Sequence, residues 1–371
     1  MIDHLTFLIY IIFFTISLLG HGFLFLRIVT KDTTLYNFGY LGLIGFFSVT
    51  SISILTSFIL KHDFLHNSIL HLVGLLSFVF FVRKYKDFYI CHLKTLSIIF
   101  FILLIGIYVF KNHDDFPYYH LTYALNLSEN KFIVGSGLFG HGFRTPSSLF
   151  FFHSILYMPK IEYYLFHAGP FFILLFFNLF LIDKLFSNIK NNKTDLTFYL
   201  SLLSLIFVNV VFYRIGEHGT DRSSQIILLL IFIIFYELIY SNLKKIDKNN
   251  QFNFFLILII LSASIKALYF LYVFLIPFVL LTKRYYSKYL SFKNIRILLF
   301  LFVSFSSIIS INVLSTGCII YPESKTCYEK FDWSIPKEEV KRLKDHYEWW
   351  SKAGGANGKN TNLKKEDYVK N

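Results

Sequence analysis

Residues 93–110 read LKTLSIIFFILLIGIYVF, and the chain continues at 111–120 as KNHDDFPYYH. The first stretch is an apolar run of about the length needed to cross a hydrocarbon layer roughly 30 Å thick. The second places two adjacent carboxylates, Asp114 and Asp115, at its polar mouth, flanked by His113 and His120. An apolar helix that opens on a paired-acid loop is a membrane span with an island of chemistry at its end.

The rest of the chain extends that reading. Apolar residues make up 55% of the 371 residues, aromatics 20%, and 47 positions are Phe. Further apolar stretches lie near 5–29, 39–60, 64–82, 162–186, 195–213, 222–240 and 295–315. With an unusual block at 252–281, these predict an all-α, polytopic transmembrane helical bundle of about 9–10 spans. No alternating pattern suggests a β-barrel, and no basic n-region or small-residue cleavage site marks the first segment as a cleavable signal peptide. The sequence divides into a multipass membrane domain over 1–315, with an outer catalytic-type loop at 111–160, and a polar extracytoplasmic tail over 316–371.

The net charge of +13 does not point to nucleic acid, because its distribution is topological. One set of alternate loops, including Arg83, Lys84, Lys86, Lys94, Lys283, Arg284, Lys288, Lys293 and Arg296, holds seventeen basic residues. The opposite loops hold seven, among them Lys111, Arg144, Arg214 and Arg222. The positive-inside rule puts the rich set in the cytoplasm and the acid pair outside. Both flanks of 252–281 then belong inside, so this block is expected to be a hairpin of two short helices. Its tip falls at SASIK (262–266), and Lys266 is the one basic residue set within a membrane segment rather than near its end. A single long tilted helix with a snorkelling lysine is the plainer alternative.

In the 111–160 loop, Pro117 predicts the start of an interfacial helix through Leu127. GSGLFGHG (135–142) predicts a turn, and Thr145 with Pro146 predicts the cap and first position of a second short helix, Ser147–Met158. In the tail, Cys318 and Cys327 are expected to form a disulfide on the oxidising side. Lys337–Lys352 has the pattern of an amphipathic helix, and the stretch beyond Gly354 that of poor order.

Four outer elements carry reactive groups: the acid loop, the turn with His141 and Arg144, the loop YRIGEHGTDR (213–222), and the Lys266 tip. Carboxylates can deprotonate an attacking hydroxyl, while Lys, Arg and His can hold a phosphate leaving group. The candidate catalytic residues are therefore Asp114 and Asp115. The candidate substrate- and phosphate-binding residues are Lys266, Arg222, Arg144, His141, Glu217, His218, Asp221 and His120. A divalent cation bridging Asp114 or Asp115 to a phosphate is compatible with this set, but no dedicated ligand spacing calls for one. Each residue also has a duller reading. Asp115 serves equally as a cap for the helix at Pro117, Asp221 or Thr220 as a cap for the next span, and Arg214 and Arg222 as interfacial anchors.

DDFPYYH (114–120) followed by HGFRTPSS (141–148), the broken short-helix pair with its lysine, and the two cysteines of the tail resemble the GT-C superfamily of membrane glycosyltransferases. Within it they are similar to a group of bacterial multipass proteins, best over 111–222. The resemblance implies a polyprenyl-phosphate-linked sugar as donor, a lipid or envelope glycan as acceptor, and an outer-loop Asp as catalytic base, here Asp114 or Asp115. It also implies a bacterial inner membrane with the active site facing the periplasm or exterior. In GT-C proteins the acid loop usually follows the first span, whereas here it follows the fourth. Members of the group extend further at the C-terminus, so a truncated and a naturally short tail both fit. The expected activity is an inverting sugar transfer; a glycolipid or anion transporter or flippase is the rival, and a purely structural subunit a third.

Overall fold

The structure is a computed structural model and describes residues 4–30, 34–109, 113–240, 245–282 and 295–352. Lys31, Lys111, Lys244, Lys283, Arg284, Lys288 and Lys293, which enter the charge comparison, and the stretch beyond Gly354 lie outside the described residues. The described residues hold thirteen helices and no strand. These are α1 His4–Phe25, α2 Phe38–Ser57, α3 Phe64–Lys84, α4 Lys86–Val109, α5 Leu121–Glu129, α6 Ser148–Ser154, α7 Gly169–Lys190, α8 Leu196–Val211, α9 Gly219–Tyr240, α10 Lys245–Ile265, α11 Leu275–Thr282, α12 Ile295–Thr316 and α13 Lys337–Lys352.

Among the described residues, seven segments are long and apolar enough to cross a membrane: α1 continued to Thr30, α2, α3, α4, α7, α9 and α12. The expected spans at 195–213 and 252–281 take the form of shorter apolar helices, Leu196–Val211, Asn249–Ile265 and Ala267–Leu281. Sixteen residues in α8 rise only about 24 Å, short of the hydrocarbon thickness. The helices α3 and α4 turn Leu65, Ile69, Leu72, Leu76, Ile102 and Ile105 outward. In water such faces would be a large apolar patch; in lipid they are the ordinary outer surface. This is a multipass helical membrane protein.

The chain forms two compact units, one of residues 1–132 and 147–306, the other of 133–146 and 307–371. The second therefore takes in the glycine-rich turn together with the tail, and begins nine residues before the composition changes at 316.

In the first unit α2 and α7 are the buried centre. The helices α1, α2 and α3 approach closely because glycines face backbone: Gly20 meets the Gly74 carbonyl, Gly45 that of Leu18 and Gly22 that of Leu41. Small residues at such crossings let backbones pack without a side chain between them. The helix α6 is too short to satisfy its own carbonyls, and in an apolar interior each unpaired one is costly. Side chains of neighbouring helices supply the donors. Ser53 donates to the Phe151 carbonyl (2.5 Å), Asn67 Nδ2 to those of Ser154 (3.0 Å) and Tyr157 (2.9 Å), and His71 Nε2 lies 3.0 Å from that of Ile155. His71 Nδ1 is held in turn by Ser17 at 3.0 Å.

At the other end of α6 the cap is Ser147, whose side chain accepts from the Leu149 amide; the expected Thr145–Pro146 start lies two residues too early. Ser147 Oγ also donates to the Ile265 carbonyl (2.7 Å), and Ser148 pairs with Ser264 (2.7 Å). A buried, pinned α6 thus fixes the last turn of α10. There the helix ends, Lys266 adopts extended backbone, and the chain resumes as a 3₁₀ helix, Ala267–Phe274, that packs back on α10. The block turns at Lys266 rather than running through as one helix.

The second unit has its own small core of Cys318, Tyr321, Cys327, Ile335 and Val340, closed by the Cys318–Cys327 disulfide. Gly135 adopts left-handed backbone and donates its amide to the Leu314 carbonyl (2.7 Å), with Trp333 stacked where a side chain would stand. The helix α13 spans the residues expected of it.

Candidate functional site

Three segments distant in sequence meet in the first unit, at the C-terminal ends of α4 and α10 and the N-terminal end of α9. The acid loop is tied to the 213–222 loop by the His113 amide, which donates to the Gly216 carbonyl (3.1 Å). The His113 ring lies against Gly219, whose φ of +53° already calls for glycine. A side chain at 219 would displace that ring, so one residue serves both the turn and the fit.

From the acid loop, Pro117 opens a wide turn, Phe116–His120, that runs directly into α5. Asp115 stands at its cap position yet makes no side-chain capping bond; Oδ2 instead accepts from the Tyr119 hydroxyl (3.1 Å). The Asp115 amide donates to His113 Nδ1 (3.1 Å). His120 is buried, with its ring stacked 5.3 Å from that of His113 and 4.8 Å from Phe150. Its Nε2 has no hydrogen-bond partner. Burial, helped by His113 and Lys266 and opposed by Asp115 and Asp221, pushes its pKa down to about 4. The ring is therefore neutral at pH 7. Asp114, beside this group, is exposed.

Asp221 lies in the first turn of α9 rather than at its cap, where the helix dipole favours a carboxylate. Its Oδ1 stands 2.8 Å from Lys266 Nζ. The two side chains are 54% and 42% exposed, so the pair retains contact with water. The charges of His113, Asp115, Lys266 and Asp221 all reach His120.

The other residues of the 213–222 loop are engaged with one another. Arg214 pairs with Glu217. His218 is buried, its pKa is lowered by burial to about 4, and Nε2 lies 2.5 Å from the Phe212 carbonyl. Arg222 stacks over the Phe212 ring at 6.0 Å. These contacts shape the loop that presents Asp221.

His141 and Arg144 belong to the second unit. Arg144 donates to Glu339 (2.7 Å) and to the Gly137 carbonyl (3.0 Å), and His141 Nε2 lies 2.5 Å from the Tyr347 hydroxyl. Of the candidate residues, the first unit thus gathers Asp114, Asp115, His120, Asp221 and Lys266, with Glu217, His218 and Arg222 supporting.

One group stands out chemically. His113, Asp115 and His120 each offer a donor atom, all within 4.8 Å of one another. Two imidazoles and a carboxylate suit a borderline divalent metal better than the oxygen-rich sets that Mg²⁺ and Ca²⁺ take. His113 is the member that the list of candidate residues leaves out, although the spacing His-x-Asp-x₄-His on a turn is legible at 113–120. Ser147 and Ser148, which fix the end of α10, have no local signature, because their partners are more than a hundred residues away.

Fold and site together define a multipass helical membrane protein with a polar histidine–carboxylate–lysine cluster where three of its segments converge. The chain belongs to the family described as Domain of unknown function (DUF8201), whose model matches residues 4–363. No curated protein and no solved structure matches the chain.

Proposed function

We propose that the protein is a membrane glycosyltransferase of GT-C type that moves a sugar from a polyprenyl-phosphate donor to a lipid or glycan acceptor of the bacterial envelope, at the outer face of the membrane. Asp114 or Asp115 removes the proton from the acceptor hydroxyl. The acceptor oxygen bonds to the anomeric carbon as the bond from that carbon to the phosphate oxygen breaks. The configuration inverts, and polyprenyl phosphate leaves with its negative charge facing Lys266. Asp221 holds Lys266 in place until the phosphate arrives, and Arg222 lies one residue further along the same helix. His141 and Arg144 are not assigned to this site, since Tyr347 and Glu339 already engage them.

The observation that supports this reading best is the gathering of acids, a lysine and a buried, neutral imidazole from three separate segments, with the Lys266–Asp221 pair left half-exposed. A group of this kind suits proton removal beside anion binding. Outward-facing apolar helices give the isoprenoid tail a surface on which to lie.

The rival reading, a glycolipid or anion transporter, draws on polar groups inside the spans: the Lys184–Glu237 pair, the reciprocal Asn178–Asn209 bonds and His71. Lys266 is therefore not alone among polar residues there, but these groups satisfy one another and line no described path. The test is Asp114→Asn and Asp115→Asn in a strain scored for envelope glycans. Loss of one glycan product by about a hundredfold or more in either variant is expected. Unchanged glycans in both, at normal protein level, would remove the catalytic assignment.

A further inference from the structure

We propose that His113, Asp115 and His120 bind one divalent transition metal ion of the zinc class. The ion is argued from the chain's own residues; only its role, steadying the departing phosphate, rests on the transferase reading above.

Donor chemistry is the first support. Two imidazoles and one carboxylate, with further positions open, form a familiar protein set for Zn²⁺ and related first-row ions, whereas Mg²⁺ and Ca²⁺ are held by oxygen. Geometry is the second. Metal–ligand bonds of about 2.0–2.2 Å put donors about 3.4 Å apart around a tetrahedral ion, and here all three lie within 4.8 Å of one another. Side-chain shifts of about an ångström close the difference, and all three donors sit on one eight-residue stretch.

The third support is the state of the donor atoms. His120 Nε2 is buried and has no hydrogen-bond partner, while Tyr119, Phe150 and His113 hold its ring from several sides. A buried polar atom without a partner is costly and calls for an explanation; a metal ion supplies one. His113 Nδ1, 3.9 Å from Asp115 Oδ2, accepts from the Asp115 amide, and a metal ion on this nitrogen takes the place of that hydrogen bond. Asp115 Oδ2 accepts from Tyr119, the kind of outer contact that orients a ligating carboxylate. Charge is the fourth. Two carboxylates, Asp115 and Asp221, act on His120 against one lysine, Lys266, so these surroundings favour a cation.

Three protein ligands leave a position for water or for a phosphate oxygen. Asp115 is then the metal ligand, and the exposed Asp114 is left as the base of the transfer.

The experiment uses the full chain, purified without a histidine tag into lipid nanodiscs and stripped with chelator. Zn²⁺ binding is read by equilibrium dialysis with elemental analysis, and site geometry by the visible absorption of Co²⁺. The expected result is one Zn²⁺ per chain that excess Mg²⁺ does not displace. Asp115→Asn and His120→Ala should weaken it at least tenfold, and His141→Ala, in the other unit, should leave it intact. Asp115 is half-exposed, so its variant reports on the ion even if His120→Ala fails to fold. No stoichiometric ion, displacement by Mg²⁺, or binding that Asp115→Asn leaves unchanged would overturn the proposal. Neither donor nor acceptor is present, so the outcome is independent of the glycan test: a protein that binds zinc but leaves glycans unchanged loses the transferase reading alone.

Discussion

Two ion pairs, one in each unit, use the same chemistry to different ends. In the second unit Arg144 reaches Glu339 at 2.7 Å, donates again to the Gly137 carbonyl and lies beside Tyr321, with only 13% of its side chain exposed. Its donors are taken up, and the bond ties the glycine-rich turn to α13. In the first unit Lys266 reaches Asp221 at 2.8 Å, but both ends face water and the lysine stands on the extended residue where α10 breaks. A saturated pair braces a fold; a half-exposed pair at a helix break is poised to exchange partners. The position of a charge in the sequence does not distinguish the two roles. The surroundings of the charge do.

The largest expected effect sharpens that contrast. On the transferase reading proposed above, Lys266→Ala should cut sugar transfer by about a hundredfold or more, the scale of removing one donor to a developing anion, while the protein remains folded in native membranes. Arg144→Met should do the reverse. It strands Glu339 and should destabilise the second unit by about 3 kcal/mol, read as faster limited proteolysis of residues 307–352 with the first unit intact. Cys318→Ser should cost the same unit about 2.5 kcal/mol, the scale for a disulfide closing a loop as short as this one, checked by its sensitivity to protease with and without reductant. Gly45→Ala, at the crossing of α2 with α1, should cost the first unit about 1–3 kcal/mol, measured by thermal unfolding in detergent. The smallest effect falls on stability for Asp221→Asn. A half-exposed pair contributes under about 1 kcal/mol, so this variant should unfold normally while transfer falls. Comparable losses of stability in Lys266→Ala and Arg144→Met would erase the distinction.

Much of the architecture was legible because apolar run length is a local signal. The segments near 39–60, 64–82 and 295–315 lie within a few residues of α2, α3 and α12, and the charge imbalance around 252–281 called for the turn seen at Lys266. What escaped was non-local. Thr145–Pro146 offers a good start signal, but Ser147 caps α6 because its hydroxyl also reaches the Ile265 carbonyl. The spans read as nearly apolar; Asn67 and His71 are nonetheless buried in α3, since a short helix elsewhere needs their donors. Asp115 and Asp221 had capping as an equal reading, and neither caps: one accepts from Tyr119, the other pairs with Lys266. His141 and Arg144 share a loop with the acid pair but fold with the tail, because Gly135 and Gly137 pack against the end of α12.

The most direct measurement asks whether 114, 221 and 266 border one outer chamber. In a Cys91→Ser background, a single cysteine at each position is exposed to a membrane-impermeant maleimide in intact cells or spheroplasts, and the 221/266 pair is then treated with a short bifunctional crosslinker. Labelling of all three from outside, with an intramolecular crosslink between 221 and 266 in native membranes, is the expected result. Labelling of any one of them only after the membrane is permeabilised, or no crosslink in a protein at normal level, would contradict it.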